Sequence, residues 1–293
     1  MRETMRWHRR RRDAERVGGH KVAFVLSGGG SLGAMQAGQL RAVLEAGIVP
    51  DLVIGVSAGA LNGAAIAHQP TVEMADHLTA IWRRLRREDI FVGSRHERAW
   101  HLFRHHPNMC GSGGLINLVA QFLPLDDLAH LSVPFEAGTV NIDEARSEFH
   151  STGDPRSVLV ASASLPGVFP PVLINGSRHV EGGVAVNLPL QRARELGATS
   201  IFAFDCRAGT KHHLPAELSA LGVLTSSIAI AREILTPDYD TIDVIRLPAP
   251  DTTGIGLFDF GQGGRLADEG YQLVSAFLEN HRELAAMSAC SAA

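Results

Sequence analysis

Twice near its start the chain runs from a short apolar stretch directly into glycine and then into a helical pattern. Lys21 to Leu26 (KVAFVL) is nearly continuous in apolar residues, which marks a strand buried on both faces. Gly28-Gly29-Gly30 ends it, and Ala34 to Ala46 reads as a helix that Gly47 stops. Leu52 to Val56 (LVIGV) is a second buried strand; it ends at Ser57, and ALNGAAIAH opens a second helix. Strand, loop, helix, strand, turn, helix is the pattern of a parallel sheet covered by helices.

The chain has 293 residues, enough for one large α/β domain or two ordinary ones. Hydrophobic residues make up 45% against 20% charged, a balance that excludes a mostly disordered chain. A net charge of −4 carries no basic excess, which argues against a nucleic-acid partner. No uncharged apolar run reaches the ~18 residues that a membrane-spanning helix needs, and no secretory-type apolar core follows the start. Cys110, Cys206 and Cys290 are odd in number and lack metal or redox spacing, which fits a reducing cytoplasm.

Residues 1–20 read as a flexible basic arm, with Arg6, Arg9, Arg10, Arg11, Arg12 and Arg16. Such a run is either a solvated leader or a contact for anionic headgroups, so the expected location is cytoplasmic, with peripheral contact at a membrane surface. Residues 21–281 read as one domain and 282–293 as a flexible small-residue tail. Within the domain, Val72 to Arg87 reads as one helix with Arg83, Arg84, Arg86 and Arg87 mostly outside, and residues 93–114 as a variable surface excursion. Phe135 to Ile142 and Arg146 to Thr152 look like strands joined at Asp143–Glu144. Ser157 to Ser164 reads as a helix, and Phe169 to Ile174 leads to the turn Asn175–Gly176. Leu190 to Leu196 is a helix, Ser200 to Asp205 a buried strand, Glu217 to Leu235 a long helix, Asp243 to Leu247 a strand and Gly264 to Glu279 a last helix.

Three motifs carry chemistry. Gly55-Val56-Ser57-Ala58-Gly59 is a G-x-S-x-G pentapeptide between a strand and a helix. There a serine sits on a tight turn, glycines at Gly55 and Gly59 admit neighbouring backbone, and the helix N-terminus favours developing negative charge. The competing reading is a serine that merely caps the helix. Gly28-Gly29-Gly30-Ser31-Leu32-Gly33 can present several backbone N–H groups to an anion or oxyanion. It also fits the dinucleotide fingerprint, but Asp51 precedes the second strand, and Ser57 stands where the ribose-binding acid belongs. Glu181-Gly182-Gly183 exposes an acid at the end of an apparent strand: either an ordinary turn, or a carboxylate that takes the serine proton directly. His101, His105 and His106 have helical spacing but no companion acid or cysteine at ligand spacing. His281 is the only late histidine that a Ser-His-Asp order offers, and its surroundings (LENHREL) are polar.

Together the three motifs resemble the patatin-like phospholipase family, in its compact bacterial form. Lys21 to Gly33 is similar to its strand and oxyanion loop, GVSAGALNG at Gly55 to Gly63 to its nucleophile elbow, ASASLPGVFPPV to the segment before its acid, and EGGVAVNLP to its D-G-G/A block. Asp268 to Tyr271 also fits, so the resemblance covers roughly residues 20–280. It implies a three-layer α/β/α fold with a mostly parallel central sheet. It also implies a serine–carboxylate dyad, Ser57 and Glu181, cleaving lipid acyl esters of phospholipids or lysophospholipids, with no metal or organic cofactor. Gly28, Gly29, Gly30 and Gly33 would supply the oxyanion hole. Two departures stand out: Glu181 replaces the family's Asp, and Leu32 stands where many members carry Arg or Lys. One added methylene shifts a carboxylate by about 1 Å, enough to cost about a hundredfold in rate. The alternatives are therefore an acyltransferase using the same dyad, or a catalytically impaired lipid- or anion-binding protein.

Overall fold

A computed structural model shows the architecture. It describes residues 20–91, 110–123, 125–208 and 243–284, with Val223, Ser226, Ser227 and Ile230 between them. The basic arm up to residue 19, the His101–His105–His106 segment, nearly all of the helix expected over 217–235 and Cys290 lie outside the described residues.

The first strand, β1 (Val22–Leu26), is fully buried and pairs in parallel with β2 (Leu52–Val56) on one side and β7 (Ser200–Phe204) on the other. Beyond β7 lies β8 (Val244–Arg246), and beyond β2 lies β3 (Phe135–Asn141), all parallel. Two strands run against them: β4 (Arg146–His150) on β3, and β6 (Ser177–Glu181), which also forms a hairpin with the outer strand β5 (Val172–Ile174). The order is β5-β6-β3-β2-β1-β7-β8, with β4 pairing β3. Pro170 and Pro171 lack the N–H that a ladder needs, so β5 starts only at Val172, later than the apolar run suggests.

Helices cover both faces, giving three layers. On one face lie α1 (Gly33–Glu45), α2 (Ala58–His68), α3 (Val72–Arg84), the short α4 (Arg87–Ile90), α5 (Gly113–Phe122), α6 (Pro155–Ala163) and α8 (Gly263–Asn280). Phe24 faces this side and packs its ring against Phe202 and Phe204 at 5.8 and 5.2 Å. Burying a side chain of that size contributes roughly 2–3 kcal/mol. On the opposite face α7 (Leu190–Glu195) sets Leu190 and Ala193 against Ala23, Val25 and Ile54.

The helix expected from Val72 to Arg87 is two helices. Leu85 leaves the helical conformation (ψ 133°) and is buried, and the Arg86 N–H donates to Asp89 Oδ2 at 2.7 Å, starting α4. Arg83 is ion-paired with Asp268 of α8, across two exposed surfaces.

Candidate active site

The parallel strands β1 and β2 end side by side, Leu26 opposite Gly55, so both glycine motifs emerge at the same edge of the sheet. Ser57 follows β2 with φ 54° and ψ −124°, a left-handed conformation that a residue with a side chain rarely adopts. Neighbouring backbone enforces it. A Cβ on Gly55 would lie 2.3 Å from Gly59 O, and one on Gly59 would lie 2.5 Å from both Leu26 O and Ser27 O. Ser57 O accepts from Ala60 N and Leu61 N at 2.9 and 3.2 Å, while its hydroxyl makes no capping bond to α2. The serine is therefore not there as a side-chain cap. Its own N–H donates to Ser162 Oγ (2.9 Å), and that hydroxyl donates to Gly138 O (2.7 Å), pinning the turn to α6 and β3.

The glycine loop packs against this turn. Gly30 has φ +56°, and a Cβ there would meet Leu257 O at 2.3 Å; one on Gly29 would meet Cys206 Cβ and Sγ at 2.8 Å. The amides divide unequally. Ser31 N donates to Leu257 O and Leu32 N to Gly29 O, and Gly28 N reaches Asn187 O at 3.4 Å. Gly33 N closes the short turn onto Gly30 O and Ser31 O, so the expectation that Gly33 serves as a donor is corrected: its hydrogen is committed inside the fold. Gly29 and Gly30 N–H have no partner among the described residues, and both residues stand on the pocket wall. Beneath the loop runs a buried polar chain. Trp82 Nε1 donates to Asn62 Oδ1 and Asn62 Nδ2 to Gln36 Oε1, and Gln36 Nε2 donates to Ser27 O and Phe204 O. These bonds, 2.8 to 3.0 Å long, hold the ends of β1 and β7 together.

Glu181 arrives from the other direction. β4 pairs β3 along one side through residues 137–141; on the other side β3 pairs first with β2 and then with β6. Val56 pairs with Gly138 and Glu181 with Thr139, so the two strands meet nearly end to end along β3. The Glu181 N–H donates to Ser164 O at 3.0 Å, fixing the backbone from which its carboxylate projects. Ser57, Glu181 and Gly28 to Gly30 line one pocket, walled mostly by apolar side chains such as Leu61, Leu118, Leu165, Phe169 and Phe258.

Asp51 sits at the opposite edge of the sheet, where its Oδ2 accepts from Val22 N at 2.9 Å; it is no ribose ligand. His281 is exposed, its Nδ1 beside Phe277 O and its ring stacked on Phe277 at 4.3 Å. Burial pushes the Cys206 thiol up to about 12, so at neutral pH it is an uncharged wall behind Gly29. Three residues at the site go beyond the expected set: Ser162 behind the turn and Asn187, whose Nδ2 donates to Gly28 O at 3.2 Å, both inside stretches that resemble the family, and Arg207 on the pocket lining, which no motif includes.

The model of the patatin-like phospholipases matches residues 24–194. Lysophospholipase nte1 of Aspergillus terreus is 31% identical over 203 residues, and lysophospholipase NTE1 of Phaeosphaeria nodorum 32% over 200. Each alignment covers 66% of this chain, which spans only 12% of the length of either relative. Among solved structures, VipD from Legionella pneumophila aligns with 89% of this chain and 67% of its own at 14% identity, with a TM-score of 0.47.

Proposed function

Because the chain belongs to the patatin-like phospholipase family, we propose that it is a serine hydrolase of lipid acyl esters, with Ser57 as nucleophile and Glu181 as its base. Ser57 Oγ attacks the ester carbonyl as Glu181 takes the hydroxyl proton. The Gly29 and Gly30 N–H groups receive the oxyanion, each such donor being typically worth about 3–4 kcal/mol. The tetrahedral intermediate collapses, the carbon–oxygen bond to the alcohol breaks, and Glu181 returns the proton to the departing alkoxide. Water, deprotonated by the same carboxylate, then releases the fatty acid and restores Ser57. This sequence passes no proton through histidine and draws on no cofactor.

The observation that carries this reading is the left-handed Ser57, free of capping duty, on the wall of an apolar pocket shared with Glu181. The apolar lining suits an acyl chain, and Arg207 offers a guanidinium to a phosphate. The names of the fungal relatives add the substrate class: a lysophospholipid. The test is fatty-acid release from 1-acyl lysophosphatidylcholine by the purified chain and by Ser57→Ala. The parent should release fatty acid, and the folded variant none above background; equal release from both would overturn the assignment.

A further inference from the structure

Away from the catalytic pocket, the antiparallel corner of the sheet gathers polar side chains on one face. Thr139 of β3 is their centre. In register, Glu148 of β4 lies directly across from it and His150 pairs with Ala137, while His179 of β6 pairs with Asn141. Alternation along each strand puts all of these side chains on the same face. Thr139 Oγ1 is 2.9 Å from His179 Nδ1 and 2.8 Å from His150 Nε2. On the far side of the His179 ring, Nε2 faces Glu148 Oε2 at 3.9 Å, beyond hydrogen-bond reach. The other carboxylate oxygen, Oε1, is held by Asn141 Nδ2 at 2.8 Å and Arg146 Nε at 2.9 Å.

One ligand atom from each of Glu148, His150 and His179 lies within 4.8 Å of the other two. These are electron-pair donors converging on one spot, and His179 is only 1% exposed. We infer that Glu148, His150 and His179 form a site for a zinc-class divalent cation, separate from the Ser57–Glu181 pair. Two imidazoles and one carboxylate are the donor set of zinc and its neighbours, whereas calcium and magnesium take oxygen. Metal bonds of ~2.0–2.1 Å in a tetrahedral arrangement set neighbouring ligand atoms about 3.3 Å apart, so the 3.9 Å gap between His179 Nε2 and Glu148 Oε2 closes with a few tenths of an ångström at each side chain, and the full set, within 4.8 Å, with side-chain rotations of about 1 Å. Behind the ligands stand the partners that such sites use: Thr139 on the His179 Nδ1, and Asn141 with Arg146 on the carboxylate. A cation here fastens the edge strand β4 to β6, the strand whose last residue is Glu181, and leaves a fourth position to water.

The experiment uses the full chain, stripped with a chelator and dialysed, then titrated with zinc chloride. Bound zinc is counted by mass spectrometry, and the melting temperature is followed. The parent should bind one zinc more than His179→Gln or Glu148→Gln, and its melting temperature should rise by about 5 °C at a hundredfold excess over Kd. Where a variant folds poorly, carbethoxylation of the parent decides, with zinc protecting His150 from the reagent. Absence of zinc binding by the parent, full zinc binding by both folded variants, or no protection of His150 would each overturn the site.

Discussion

The strand that carries Ser57 and the strand that carries Glu181 end beside each other along β3, yet they are built differently. β2 is a central parallel strand with every residue buried, and the turn after it is closed by carbonyls 2.3 to 2.5 Å from where side chains on Gly55 and Gly59 would begin. β6 is antiparallel and partly exposed, fed by the hairpin turn Asn175–Gly176, where a Cβ on Gly176 would meet nothing within 4 Å. Packing leaves the proposed nucleophile no latitude. The proposed acid belongs to a strand with two unlike ends: the hairpin turn is open, but a Cβ on Gly182, the residue after Glu181, would lie 2.3 Å from Gly138 O. The room for change in β6 is therefore at its hairpin, away from position 181.

Six substitutions at five positions probe that contrast. Gly59→Ala forces a methyl into two carbonyls and should destabilise the protein by about 3 kcal/mol or more, with activity lost. A melting temperature close to the parent's would show that the turn has room after all. Glu181→Gln removes the base and should lower kcat by about a thousandfold, whereas Glu181→Asp, restoring the shorter acid, should raise kcat by about tenfold. A Gln variant as active as the parent would place the base elsewhere; an Asp variant slower than Glu would mean that the β6 backbone has adapted to the longer acid. Gly30→Ala should cost about a hundredfold, in kcat more than in KM, because the oxyanion contact strengthens in the transition state. A pure KM effect would indicate ground-state anion binding instead. Ser162→Ala leaves the Ser57 N–H and Gly138 O without their shared hydroxyl, and should cost about 1–3 kcal/mol of stability and roughly tenfold in kcat. Gly176→Ala, strained only by its φ of +87°, should cost about 1 kcal/mol in denaturant unfolding and leave kcat unchanged. Loss of activity there would show that the hairpin holds Glu181 as tightly as β2 holds Ser57.

The same contrast governs what the sequence reveals. β2 spans Leu52 to Val56 as its unbroken apolar run predicts, because a strand buried on both faces has no polar position to obscure its limits. The turn at Gly55, Ser57 and Gly59 is legible because a serine held at positive φ against neighbouring backbone needs its glycines at fixed local spacing. The break at Leu85 is hidden: apolar periodicity runs through it, and only the Asp89 contact to the Arg86 amide shows where α4 starts. Ser162 and Asn187 lie 105 and 159 residues from the partners they hold, a relation that no local pattern encodes. Gly33 reads as a donor because it belongs to the glycine motif, but the turn it closes consumes its hydrogen. His179 and Glu148 give no signal at all, since register across three strands brings them together.

Activation of Ser57 by Glu181 is tested most directly by stoichiometric labelling with a fluorophosphonate probe, followed by peptide mapping. A covalent bond to phosphorus forms only at a serine that surrenders its proton, so the readout is independent of substrate choice. The parent should carry one label per chain, on Ser57, and Glu181→Gln should label at least about a hundredfold more slowly while folded. An unlabelled parent, or a Gln variant labelled at the parent's rate, would contradict the account.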